Sequence, residues 1–301
     1  MSSYSTTEAP AAPRAGSAAG RKLLGLAGAL PGTLWLLFFL VAPVVMIVLV
    51  SFWHTSISAF DPWSWTLDNY RTLIHSGVYW SQLRQSFVNS LIVVAACLVF
   101  GFPVAYFLAI HIQNLRLQVA LFIVALAPFW TSYLIRAVAW IPMMGRQGAI
   151  NTILIKAGLI HEPLDFLLFS NFAVTLAMIQ LYILFMITPL FFMLGQLDKS
   201  SLEAARDLGA SWFQTFREVV LPQSMPGIVI GSIFVFVLTM GEYGTVRIIG
   251  GGQVSSVGVV VNNNVGGVQY PLAAASALVL VLAMMIGIFI LLRMSNLRED
   301  L

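Results

Sequence analysis

The sequence predicts an all-α membrane protein with six transmembrane helices, and three observations carry that prediction. Of the 301 residues 59% are apolar and only 9% charged, whereas soluble domains carry charge on roughly a quarter of theirs. Fifteen Lys and Arg with twelve Asp and Glu are too few to coat a water-soluble body of this size, which argues against a soluble enzyme. Apolar stretches of about 20 residues, the length that crosses a ~30 Å hydrocarbon core, recur six times. Lys and Arg also fall unevenly on alternate connections, as they do across a bilayer.

The elements follow in order. Residues 1–22 are rich in Ala, Ser and Pro and bury too little apolar surface to order themselves, so they read as a disordered cytoplasmic tail. Arg21 and Lys22 then precede an apolar stretch, 23–50, that is too long for a signal-peptide core and lacks a small-x-small cleavage site. It reads as the first crossing of a transmembrane domain covering 23–292. The remaining crossings are expected at 86–110, 117–140, 171–195, 228–247 and 272–292, with 293–301 a cytoplasmic C-terminal tail. Pro31, Pro43, Pro103, Pro128 and Pro189 lie in or at the ends of these spans, which implies kinked helices whose freed carbonyls find other partners. Pro128-Phe129-Trp130 is the expected kink of the third crossing.

With the N-terminus inside, nine of the fifteen Lys and Arg, among them Arg21, Lys22, Arg116, Lys199 and Arg293, fall on the cytoplasmic side. Both termini are therefore expected inside. Segment 51–85 is rich in Trp, Tyr and His, as an outward-facing region is, and 141–170 and 248–271 face the same way. Asp61, Asp68, Glu162 and Asp165 fall in these outward loops, where they dock a partner or are simply solvated. The net charge of +3 comes from scattered residues with no run of five, so no nucleic-acid partner is expected. Cys97, the single cysteine, sits in an apolar stretch and reads as a small core residue. His54, His75, His111 and His161 are widely separated, so no metal site is expected.

The one sizeable cytoplasmic connection is 196–226, QLDKSSLEAARDLGASWFQTFREVVLPQSMP, and local rules resolve it into two short helices. Ser200 with Glu203 forms a capping box, and Leu202, Ala205 and Leu208 make a small apolar stripe. Gly209 supplies the left-handed residue that ends such a helix. Ser211 and Gln214 form a second box, opening a helix that carries Phe213 and Phe216. Pro222 is expected to stop it, because the residue before a proline is pushed out of the helical region. The product is a helix–glycine–helix elbow.

The order Glu203-Ala204-Ala205, three residues, Gly209, nine residues, Val219-x-Leu221-Pro222 resembles the EAA loop of permease subunits of binding-protein-dependent ABC importers. Val219 stands where that family usually has isoleucine. The stretches PFWTSYLIRAVAW (128–140), GRQGAIN (145–151) and LDKSSLEAARDLGAS (197–211) are most similar to the spermidine/putrescine permeases. The resemblance covers nearly the whole chain. It implies a type I ABC importer architecture, a second permease that is identical or a sister, two cytoplasmic ATPases, an extracytoplasmic solute-binding protein and a bacterial inner membrane. It also implies polyamine cargo. Related permeases carry iron, phosphonates, opines or amino-acid-like solutes.

No GxxxxGK[ST] phosphate loop is present, so this chain is expected to bind no cofactor and to catalyse no reaction, with ATP and Mg used by the partners. Nucleotide energy then arrives by contact. A rigid two-helix knob conveys rigid-body motion, and the expected coupling set is Glu203, Ala204, Ala205, Asp207, Gly209, Phe213, Leu221 and Pro222. An ATPase-independent secondary transporter is the reading from another class, but neither inverted repeats nor a midplane ion-coupling set is visible, and the elbow would go unexplained.

Ionisable residues inside a membrane are costly and are usually paired or functional. Glu242, about 15 residues along the fifth crossing, lies roughly 22 Å from its start at 1.5 Å per residue. Two readings stand side by side: Glu242 pairs with Arg136 or Arg247 as internal glue, or it faces the path and attracts a cation. The candidate substrate path comprises Glu242, Tyr243, Trp130, Tyr133, Arg136 and Tyr182, whose rings can hold ammonium groups.

Overall fold

The computed structural model describes residues 18–55, 60–197 and 199–296, and the chain divides into two compact units, one ending at Leu49 and one beginning at Val50. The first unit is formed by nearly all of helix α1 (Ala18–Ser51), whose apolar span Leu30–Ser51 is long enough to cross a bilayer and contains Pro31 and Pro43. Residues 18–22, expected to belong to the tail, are helical. Residues 1–17 and 297–301 of the two expected tails lie outside the described residues.

The second unit opens with a hairpin, β1 (Trp53–Thr55) antiparallel to β2 (Phe60–Trp65), which the expectation of an all-helical chain did not include. Asn69, buried in α2 (Asp68–His75), donates to the carbonyls of Ser51 and Trp53 at 3.0 and 2.8 Å and so ties α2 to the hairpin.

Helix α3 (Gly77–Tyr106) begins nine residues before the expected start at 86. Ser76 caps it by accepting from the Tyr79 amide at 3.2 Å, and Gln82, Arg84 and Gln85 make its first turns too polar to read as membrane span. A π-turn, Phe107–His111, extends it. The third crossing is not the continuous helix expected at 117–140. Helix α4 (Leu115–Leu126) runs into a 3₁₀ turn, Ala127–Trp130, and α5 (Tyr133–Val138), α6 (Trp140–Met144) and α7 (Ala149–Lys156) continue after a bend of 87°. The extended residue Thr131 makes the break, and its hydroxyl donates to the Pro128 carbonyl at 2.7 Å, satisfying a group that a straight helix would have used.

Helix α8 (Asn171–Leu194) is the centre of the packing. It buries Ala177, Met178, Leu181, Met186 and Leu190 against α3 and against α11 (Leu221–Met240). Cys97 is fully buried on α3 as a small core residue. Backbone approach between α8 and α11 depends on Gly227 and Gly231, four residues apart. A Cβ on Gly231 would lie 2.8 Å from the Met186 sulfur and 3.1 Å from its Cα, and one on Gly227 3.0 Å from the Pro189 carbonyl oxygen. Gly231→Leu is therefore expected to force the two helices apart, costing about 1–3 kcal/mol, measurable as a lower melting temperature in detergent.

After α8 come α9 (Lys199–Asp207) and α10 (Trp212–Thr215), then a π-turn, Phe216–Val220, that runs into α11 without interruption. The expected stop at Pro222 does not occur: Leu221, just before it, keeps helical dihedrals of −63° and −46°. Two features admit the proline. The wider π-turn shifts the hydrogen-bond register, and Pro222 then sits at the start of a new α-helical run, where its missing N–H is not required. Residues 212–226 of the expected loop thus belong to one helical rod, Trp212–Met240, and the fifth crossing ends at Met240 rather than Arg247. Short α12 (Gly244–Gly250) and α13 (Val257–Gly266) follow, and α14 (Tyr270–Asn296) closes the chain, overrunning the expected boundary at 292. Among the described residues five helices can cross a membrane, six when the bent pair counts as one.

Candidate functional site

Two places in the fold gather the candidate residues. The first is the elbow. Helix α9 begins at Lys199, so Ser200 lies inside it rather than at its cap, and the preceding Asp198 lies outside the described residues. At its other end Leu208 donates to Ala204 O and Ala210 to Ala205 O, both at 3.0 Å, around Gly209 at φ +76°. The second bond is the six-residue closure of a Schellman turn, which demands a left-handed residue at this position. The second helix opens one residue later, as a full capping box: Gln214 N donates to Ser211 Oγ at 3.3 Å and Ser211 N to Gln214 Oε1 at 2.8 Å.

Glu203, Ala204 and Asp207 are exposed on α9, Phe213 is 62% exposed on α10, and Leu221 and Pro222 are half-buried on the rod. Phe216, expected with Phe213 on the second elbow helix, turns inward, edge-on to Phe102 of α3 at 5.5 Å. Its neighbour Trp212, not singled out from the sequence, is 68% exposed and stacks on Phe216 at 5.6 Å. An aromatic directly after the cap of an elbow helix was the signal that could have found it.

The second place is a cleft of about 450 Å³ where α5, α8 and the α11–α12 break meet. Five of the six path candidates line it: Tyr133, Arg136, Tyr182, Glu242 and Tyr243, with Phe129 and Phe185 as further aromatic wall. Trp130 does not. It is 81% exposed and ends the 3₁₀ turn before the bend, ahead of the helix that lines the cleft.

Glu242 stands in the short break that follows Gly241, and only 7% of its surface is exposed. Its Oε1 accepts from the Tyr133 hydroxyl at 2.7 Å and the Thr245 amide at 2.8 Å, the latter at the first turn of α12. Its Oε2 accepts from the Tyr182 hydroxyl. Gly244 lets Tyr133 in, since a Cβ there would overlap the tyrosine hydroxyl. Ser256 donates to the Glu242 backbone carbonyl at 2.8 Å and fixes the break from the α13 side.

Neither arginine pairs with this carboxylate. Arg247 reaches Asn262 Oδ1 at 3.1 Å, while the Arg136 guanidinium lies 5.3 Å from the Phe129 ring centroid and its buried Nε has no acceptor. The internal-glue reading therefore gives way to a carboxylate held by two tyrosines and a backbone amide. Such a carboxyl group, screened from water and walled by rings, has the chemistry to meet an ammonium.

The family comparison bears on this arrangement. The model of the binding-protein-dependent transport system inner membrane component matches residues 29–298. The chain belongs to this family. The permease is thus a multi-pass inner-membrane component of a transport system that relies on a binding protein. Among its curated relatives is the spermidine/putrescine transport system permease protein PotB of Haemophilus influenzae, 35% identical over 267 residues, covering 87% of this chain and 91% of that one. PotB of Escherichia coli is 34% identical over 264 residues, covering 87% and 94%. A putative 2-aminoethylphosphonate permease, PhnU of Salmonella typhimurium, is 26% identical over 269 residues, covering 86% and 92%. The permease also shares its fold with a chain of a bacterial ABC transporter that imports alginate, at a TM-score of 0.64 and 20% identity, covering 93% of this chain and 97% of that one.

One helical rod joins the permease's two candidate places. It runs from Trp212 at the elbow to Met240, two residues before Glu242, a length of about 43 Å at 1.5 Å per residue.

Proposed function

We propose that this permease forms part of the translocation path of an ATP-driven polyamine importer, with Glu242 as the carboxylate that meets an ammonium of the cargo and the α9–α10 elbow as the surface that receives ATPase motion. The reading rests above all on the buried, tyrosine-held Glu242 in an aromatic cleft, in a chain whose relatives at 34–35% identity over 87% of its length are named for spermidine and putrescine. An aromatic wall with a single acid suits transport better than a multi-acid cage, because the cargo has to leave again. The elbow is exposed and apolar at Leu208, Trp212 and Phe213, and rod continuity carries a displacement there to the carboxylate. The partners are a second permease, two ATPase subunits and the binding protein. Both termini and the elbow lie on the cytoplasmic side.

Two measurements test this. In a polyamine-uptake-deficient bacterial strain carrying the full transporter, radiolabelled putrescine and spermidine should accumulate; accumulation of 2-aminoethylphosphonate in their place would overturn the cargo assignment. A cysteine introduced at Ser201 should resist an impermeant thiol reagent in intact cells and react once the membrane is opened. Labelling from outside would reverse the topology.

A further inference from the structure

Among the described residues two buried side-chain atoms around Glu242 lack a hydrogen-bond partner, Thr245 Oγ1 and Arg136 Nε, and the second belongs to a cation. Arg136 lies three residues after Tyr133 on α5, so the two side chains share one helix face. Tyr133 reaches Glu242 while Arg136, in the same cleft, lies over the Phe129 ring, and its buried Nε has no acceptor among the described residues. A buried donor without a partner is costly, and in a folded protein it calls for an explanation. The helix that carries both side chains starts immediately after the 87° break, so two residues with non-helical ψ, Thr131 and Ser132, connect α5 to α4 in place of a continuous helix. The two positions are separated by three residues of helix, about 4.5 Å of rise with a rotation of about 60°, so a screw motion of α5 of that size sets Arg136 at the place on the cleft wall that Tyr133 now occupies.

We propose that Arg136 is the permease's internal competitor for Glu242: as α5 shifts during the transport cycle, the guanidinium replaces the cargo ammonium on the carboxylate and drives release. The proposal rests on the reading of Glu242 as the ammonium contact. The physical need is specific. An ammonium that leaves this carboxylate leaves it to neutral donors without a countercharge, and a tethered cation arriving at that moment supplies one. A guanidinium suits the task because it stays charged and presents a planar fork to a carboxylate. Tyr133 and Tyr182 hold Glu242 in this structure, and Arg136 waits on Phe129. Arg136 is thus a positioning residue for release rather than a contact for cargo.

The test uses the whole complex, this permease with its partner permease and ATPase subunits, in lipid nanodiscs for binding and in proteoliposomes for turnover. Putrescine is the probe. Arg136→Gln should leave putrescine affinity unchanged or tighter while lowering turnover about tenfold, the equivalent of ~1.4 kcal/mol. Arg136→Lys, which keeps the charge, should restore most of the turnover, a rescue that a packing role would not produce. Should glutamine reduce the melting temperature, Arg136→Met keeps the apolar stem on Phe129 and repeats the test. Wild-type turnover in the neutral variants, or affinity lost to the same degree as in Glu242→Gln, would overturn the displacement role alone. Unchanged affinity in Glu242→Gln would overturn the Glu242 reading itself.

Discussion

Replacing Glu242 by glutamine is expected to lower putrescine affinity of the assembled transporter by about 10- to 100-fold and polyamine uptake with it. The size follows from hydrogen bonds to charged groups, about 1.5–3 kcal/mol each, converted at ~1.4 kcal/mol per factor of ten. Glutamine keeps the side-chain shape and can still accept from Tyr133 and Thr245, so the local break and the start of α12 should survive. Protein level and complex assembly are the controls. Uptake at the wild-type rate would remove Glu242 from the path. The alternative of a carboxylate glued to an arginine makes a different demand: lost thermal stability, partly recovered by a second change at Arg136. The observed partners, two tyrosines and an amide, predict no such recovery.

Gly209→Pro should abolish transport while leaving the membrane helices inserted. At φ +76° the position lies in the left-handed region, and proline locks φ near −65°. The elbow would lose the turn that seats α9 against α10, and with it the fixed geometry of Ala204, Phe213 and Trp212. Co-purification of the ATPase subunits with the variant is the direct measurement, and uptake is the functional one. Normal ATPase recovery together with normal uptake would show that the elbow does not couple. Glu203→Ala makes a useful contrast. As an exposed residue in the middle of α9 it should change local stability by no more than about 0.5 kcal/mol, so a transport loss far beyond that would assign Glu203 a contact with a partner.

Much of this was legible in the chain itself. The crossings at α1, α8 and α14 are long uniform apolar runs, and a run of that kind has one outcome in a bilayer. The elbow's glycine and its Ser211–Gln214 cap were equally readable, because capping and left-handed turns are decided by neighbours within five residues. The third crossing was not readable as it stands. Pro128 signalled a kink, but a bend of 87° depends on what receives α5 on the far side, namely the Tyr133–Glu242 bond and the space left by Gly244. Pro222 misled for the same reason. Its local preference is to end a helix, and the π-turn that absorbs it is held by Phe216 packing on Phe102, more than a hundred residues away in sequence.

The sequence by itself determined the class, the apolar spans and the elbow, since solvent transfer and short-range backbone sterics act on each segment regardless of what surrounds it. Only the tertiary structure decided the cleft. Which of Tyr133, Tyr182 and two arginines meets Glu242 is a contest between side chains 5 to 109 residues apart, and backbone approach settles it. Gly244 admits the Tyr133 hydroxyl and the α12 amide fills the same oxygen, while Arg136 is held on Phe129 and Arg247 on Asn262. Charge attraction alone would have paired the acid with a base. Close packing around a backbone break gave it neutral donors instead.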